Sequence, residues 1–385
     1  MHRRFVTVLA VVVLGLGLGS VVPVAQAAPI GQPGDLLTAK DITDQPDAVM
    51  KGAKRVIEIT YVSEDSSGNL VPVKGSVSIP EKAPGRSGYR MMAWNHATIG
   101  LGDSCTLSDK LGEGGRRDSW VGSWLRDGYV LAATDYAGIG GPGEHAYLDG
   151  EVAGKNVLDM IRATRTVVSR YSPYETSDSF VSFGGSQGGH TSLWAGALAE
   201  TYAPELKVAG TIAHSVPSGL DQYFAAIRPG VPPVAIPDYV TYFSYVLNGL
   251  RQVRPDAKVD SYLTPQGKRI VDAASTRCYA EQNAATKGVT VGSLVSRPLA
   301  DGPLIPALRE YARVPVKGYN APILLEQGTR DVVAFTPLTN ELVDEMRANN
   351  VDVTYRTYPE GHGLSIARSH DARRWANALK TWPAN

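Results

Sequence analysis

Cysteine is scarce in this chain: two in 385 residues, Cys105 and Cys278. That excludes a small disulfide-dense scaffold and leaves room for one bridge at most. Net charge is absent, with 38 basic and 38 acidic residues and neither a basic stripe nor an acidic tail. Nucleic acid is therefore not an expected partner. There is no dinucleotide fingerprint, no P-loop and no metal-ligand spacing, so no cofactor and no metal are implied. No internal repeat and no low-complexity tract interrupts the sequence. No cysteine lies near the end of the first apolar run, which excludes a lipid-anchored lipoprotein.

That apolar run is the first feature present. His2-Arg3-Arg4 is a short positive region, Phe5 to Val24 is largely apolar, and Ala25-Gln26-Ala27 is an A-x-A cleavage site. The run is long enough to span a membrane if uncleaved, but its glycines, Pro23 and the A-x-A site favour a removed export signal over 1–27. In an exported protein the pair Cys105 and Cys278 suggests a disulfide, the alternative being two buried thiols. Closing so long a loop stabilises by about 4–5 kcal/mol in the chain-entropy model.

The sequence is 43% hydrophobic overall, with 40 Gly and 25 Pro, enough for a large core. The segment from Ala28 to Ala53 is polar and reads as coil. Arg55 to Tyr61 and Val71 to Ile79 alternate apolar and polar residues around Ser67-Gly68-Asn69, which predicts a hairpin at a sheet edge. Strands are then expected at Tyr89–Trp94, Tyr129–Thr134, Ser179–Phe183, Val208–Ala213, Ile323–Glu326 and Val353–Tyr358. Helices are expected at Ala153–Ser169, Gln187–Ala199 and Leu338–Asn349. Such alternation implies a mainly parallel sheet covered on both faces, an α/β fold. Residues 220–320 break the rhythm with apolar helical stretches, including the aromatic run Ile236–Leu250. We read them as a helical cap inserted between two parts of the core, 28–219 and 321–385. Its aromatics pack the cap's own interior or line an apolar acyl pocket.

The heptapeptide Phe183-Gly184-Gly185-Ser186-Gln187-Gly188-Gly189 decides the chemistry. The pattern G-x-S-x-G alone is a weak signal where glycine is so common. Here it sits where an expected strand turns into an expected helix, the setting a nucleophile elbow requires. A serine needs a base and the base an orienting acid, and in parallel α/β hydrolases they follow in the order acid, then histidine. His362 follows the last strand in Gly361-His362-Gly363, whereas His370 lies in a polar helical run. Asp331 follows the preceding strand in Gly328-Thr329-Arg330-Asp331, with Glu326 at that strand's end as fallback. The expected oxyanion donors are the backbone amides of Gln187 and of Thr98, the latter in Trp94-Asn95-His96-Ala97-Thr98-Ile99-Gly100, with Ala97 second to Thr98.

Those segments resemble the secretory lipase family, the lipase A type of α/β-hydrolase. "WNHATIG" resembles its W-x-H-G-T-x-G, with Ala97 in place of the usual glycine. Asp135-Tyr136-Ala137-Gly138-Ile139-Gly140 with His145-Ala146-Tyr147 resembles its D-Y-x-G-L-G…H-x-Y signature, and "GGSQGG", "GTRDVV" and "GHG" resemble its three catalytic loops. The resemblance implies an α/β-hydrolase fold and a secreted carboxylic ester hydrolase, often one acting on acylglycerols. A monomer in transient contact with a lipid interface is expected. Asp135, Tyr136 and His145 are expected to form a buried hydrogen-bond cluster behind the site. The same triad also suits an acyltransferase or a peptidase, and a catalytically silent binding member of the fold is the remaining alternative.

Overall fold

A computed structural model of the protein describes residues 30–115, 117–234, 236–363 and 366–382. The expected export signal, 1–27, lies outside the described residues. Among those residues a nine-stranded sheet runs in the order β1-β2-β3-β5-β4-β6-β7-β8-β9. The strands β2 (Ala53–Glu64) and β3 (Leu70–Pro80) form the expected hairpin. Outside them lies β1 (Leu36–Asp41), antiparallel to β2, in a segment the sequence reads as coil. Its exposed, polar edge position gives it no continuous apolar stripe to reveal it.

From β5 (Val130–Thr134) across β4 (Tyr89–Asn95), β6 (Thr176–Gly185), β7 (Lys207–His214), β8 (Ile323–Gly328) and β9 (Val353–Tyr358) every pairing is parallel. All five residues of β5 and all six of β8 are buried, as strands covered on both faces must be. After α1 (Gly122–Asp127) comes α2 (Gly150–Tyr171), which opens on Asp149, whose carboxylate accepts the Val152 amide at 3.3 Å. The buried face of α2 holds Val157, Met160, Ile161, Thr164, Val167 and Val168 at helical spacing, packed with α3 (Gln187–Tyr202) on one side of the sheet. Trp94, Trp124, Phe183 and Trp382 build the core on the other side.

Between β7 and β8 the backbone leaves the sheet for α4 (Leu220–Ala225), α5 (Tyr239–Val253), α6 (Pro265–Ala274), α7 (Tyr279–Thr286), α8 (Val291–Leu294) and α9 (Leu304–Tyr311). These helices share their own apolar core around Phe243, Leu247, Leu250 and Leu308. The disulfide Cys105–Cys278 is formed, with Cα atoms 5.4 Å apart and a sequence separation of 173. It ties the loop after β4 to the segment before α7. The sheet closes with α10 (Thr336–Ala348) before β9 and α11 (Ile366–Asn377) after it.

Candidate active site

Strand β6 delivers Ser186, and α3 begins at the next residue. Ser186 has φ 54° and ψ −121°, a conformation that costs a non-glycine residue about 1–3 kcal/mol. The surroundings hold it there. Its amide donates to the His214 carbonyl at 2.9 Å and its carbonyl accepts the His190 amide at 3.0 Å. The flanking glycines are sterically required: a Cβ on Gly188 would sit 1.9 Å from the Asn95 carbonyl oxygen, and one on Gly184 would sit 2.3 Å from that of Gly188.

The two other strand ends bring the expected partners to this serine. His362 Nε2 lies 3.1 Å from Ser186 Oγ, and His362 Nδ1 lies 3.0 Å and 3.2 Å from the Asp331 oxygens. The Thr329 amide on the Tyr358 carbonyl and the Arg330 amide on the Glu360 carbonyl bind the two loops together. Burial alone would raise the Asp331 pKa. The hydrogen bond and charge of His362, with the Ala334 and Val333 amides, outweigh it and hold the carboxyl below its usual range. An ionised Asp331 accepts the Nδ1–H bond, which leaves Nε2 free to accept from the serine hydroxyl.

The fallback residues are engaged elsewhere. His370 is exposed and accepts from Arg373 at 3.0 Å. Glu326 is fully buried, accepts the Tyr358 hydroxyl at 2.8 Å and lies 2.9 Å from His214 Nδ1. Sequence reasoning misses His214. Its signal is weak, a histidine at the end of a buried strand, and only the neighbouring strand supplies its acid.

The Gln187 amide belongs to the first turn of α3, where helix geometry provides no internal acceptor, and the helix dipole adds positive potential there. The Gln187 side-chain amide donates to His145 Nε2 at 2.8 Å, while His145 Nδ1–H donates to the Ala137 carbonyl at 3.0 Å. Burial lowers the His145 pKa to about 4, so the ring is neutral and its tautomer fixed. Tyr136 stacks on it, and Asp135 accepts the Leu107 and Ser108 amides. Thr98 Oγ1 is 2.6 Å from the Tyr147 hydroxyl. Ala97 is exposed, and its carbonyl accepts from His96 Nδ1–H at 2.8 Å.

Ser186 and His362 open into a narrow cavity of ≈ 40 Å³, roofed by α5 through Tyr239, Tyr242, Phe243 and Val246. The i, i+3, i+4, i+7 spacing is one helical face. A water needs about 10–15 Å³ on this measure, so as it stands the cavity admits a few waters and no long acyl group.

The model of the secretory lipase family matches residues 117–291. A secreted triacylglycerol lipase of Malassezia globosa is 26% identical over 261 residues, 64% of this chain and 54% of that protein. Lipase A of Moesziomyces aphidis is 27% identical over 152 residues, 39% of this chain and 29% of that protein. The protein thus spans about half or less of the curated relatives it matches. Among solved structures, Candida antarctica lipase A has a TM-score of 0.69 at 18% identity, covering 92% of this chain and 84% of the other. The rice cell wall degrading esterase LipA of Xanthomonas oryzae has a TM-score of 0.71 at 19% identity, covering 90% and 96%. At these identities the structural likeness shows the fold, which is that of the α/β-hydrolases. The family likeness carried by the sequence motifs is borne out.

Proposed function

We propose that this protein, a match to the secretory lipase family across residues 117–291, is an exported serine hydrolase of carboxylic esters, acylglycerols among them. The observation that carries the reading is the hydrogen-bonded line from Ser186 Oγ through His362 to Asp331, three residues from three separate strand ends. In this reading Ser186 Oγ attacks the ester carbonyl carbon and gives its proton to His362 Nε2. Asp331 stabilises the imidazolium. The amides of Gln187 and Thr98 receive the oxyanion. Collapse breaks the ester C–O bond, and His362 returns the proton to the leaving alkoxide. Water then attacks the acyl-enzyme with His362 as base, releasing the acid and restoring Ser186. No cofactor is required.

Residues 1–27 would be the removed export signal, 220–320 the cap, and the two flanking segments the hydrolase core. The α5 face would line the acyl side of the site and shift to admit longer acyl groups. Action as a monomer, with transient contact at a lipid interface, completes the reading. Hydrolysis of p-nitrophenyl esters from acetate to palmitate, by the mature protein beside Ser186→Ala, is the test. Serine-dependent hydrolysis is expected; equal activity in the variant would overturn the reading. Partition of the acyl group onto an added alcohol in preference to water would move the assignment to an acyltransferase.

A further inference from the structure

The disulfide holds more than two distant segments together. Gly100 and Cys278 form an antiparallel β-bridge. Around it the Tyr279 amide donates to the Ile99 carbonyl at 2.8 Å and the Leu101 amide to the Arg277 carbonyl at 3.2 Å. The loop after β4 is therefore joined through this one bridge to residues 276–279, the segment that leads into α7, and the Cys105–Cys278 bond locks the pair. Contact is at backbone distance. A Cβ on Gly102 would lie 2.3 Å from the Thr276 carbonyl oxygen, and one on Gly100 would lie 2.4 Å from Cys278 Cα. Thr98 sits one residue before this pairing. Its own hydroxyl meets Tyr147, whose carbonyl accepts the Tyr311 hydroxyl of α9 at 2.6 Å. The loop is thus gripped on both sides by residues that pack with the insertion.

The same segment reaches the pocket. The Tyr279 hydroxyl donates to Asp238 at 2.6 Å, at the start of α5, and lies 3.0 Å from the Tyr242 hydroxyl, a pocket-lining group.

We infer that the 276–279 segment, clamped by Cys278 to Cys105, is a positioning element for the oxyanion loop: it sets where the Thr98 amide points. The inference rests on the serine-hydrolase reading and assigns the cystine a part in turnover besides its part in stability. An oxyanion donor acts only when aimed within a few tenths of an ångström of the developing charge, so a loosened loop costs rate in the transition state while leaving ground-state binding largely intact.

Two variants test it: Cys105→Ser with Cys278→Ser, and Gly102→Ala, which pushes the 276–279 segment off the loop with the disulfide intact. The kcat and KM for a short, water-soluble p-nitrophenyl ester are measured well below each variant's Tm, beside Ser186→Ala. The expected result is a fall in kcat of about 10- to 100-fold with KM within about twofold in both variants. A lowered Tm with unchanged kcat would overturn the inference and leave the serine reading standing. Activity retained in Ser186→Ala would remove the reading itself. Should the double serine variant not fold, Gly102→Ala decides alone.

Discussion

Ser186 carries its strain because its neighbours leave it no relaxed alternative. Gly188→Ala puts a methyl 1.9 Å from the Asn95 carbonyl oxygen, so strand β4 or the start of α3 must shift. We expect that variant to lose activity by at least about 100-fold, since displacement of about 1 Å at the reacting groups costs that much. Folded protein with unchanged kcat would contradict it. Asp331→Asn should preserve the fold and lower kcat by about 10⁴-fold, because an amide cannot fix the Nδ1–H tautomer or stabilise the imidazolium. Single-turnover acylation rates check it directly. At this scale the sequence is informative where chemistry is local: glycine spacing and loop position find Ser186, Asp331 and His362 together. It is silent on pairs that exist only across strands. No residue adjacent to Gln187 announces its bond to His145, and none adjacent to His214 announces Glu326.

Helix α5 illustrates how an element can be read and still leave its partners open. Its apolar and aromatic residues predict a helix, and one period of them suits the insertion's own core and a pocket equally. Both uses are present on one helix: Leu247 and Leu250 are buried in the insertion core, Tyr239 and Tyr242 line the cavity, and Phe243 and Val246 do both. Sequence periodicity cannot apportion them, because a helix buried on two sides shows a broad apolar face rather than a stripe. The same loss of contrast hides β1, an exposed edge strand without alternation. The pocket face makes a prediction. Val246→Trp fills a cavity already narrow, and should depress kcat/KM for octanoate and longer esters by about tenfold or more relative to acetate, while Val246→Ala shifts preference toward longer acyl groups. One methylene in an apolar pocket is worth about 1–3 kcal/mol, so a change of this size is ample. An unaltered length profile in both variants would show that α5 does not bound the acyl group.

The whole molecule holds a consequence of burying neutral histidines on one interior. His96, His145 and His190 are 1–4% exposed. Burial lowers each pKa to about 4, against the partly compensating bonds they donate to backbone carbonyls. In the unfolded state each would titrate near the ordinary histidine value of about 6.5. Between about pH 6.5 and pH 4 the unfolded state therefore binds more protons than the folded one, so stability is fully present above that window and is lost as pH falls through it. Each group contributes on the order of 3 kcal/mol across the window, up to about 1.4 kcal/mol per pH unit. Buried Asp135 and Asp159 act in the opposite sense. Burial raises their pKa values, so they take up protons in the folded state above the ordinary carboxylate range and offset part of the loss at its acid end. Asp331, held low, keeps its stabilising charge until below that range. The Tm should accordingly begin to drop near about pH 6.5, well before carboxylates titrate. His190 isolates the effect, since it lies outside the reacting line and donates through Nε2 to the Arg313 carbonyl at 3.1 Å. His190→Gln retains a donor and removes one titrating ring, and should flatten the Tm–pH slope between about pH 6.5 and 5 by about a third. A slope identical to wild type, or a wild-type Tm flat from about pH 7 to 5, would mean that these rings are hydrated or already charged in the folded protein.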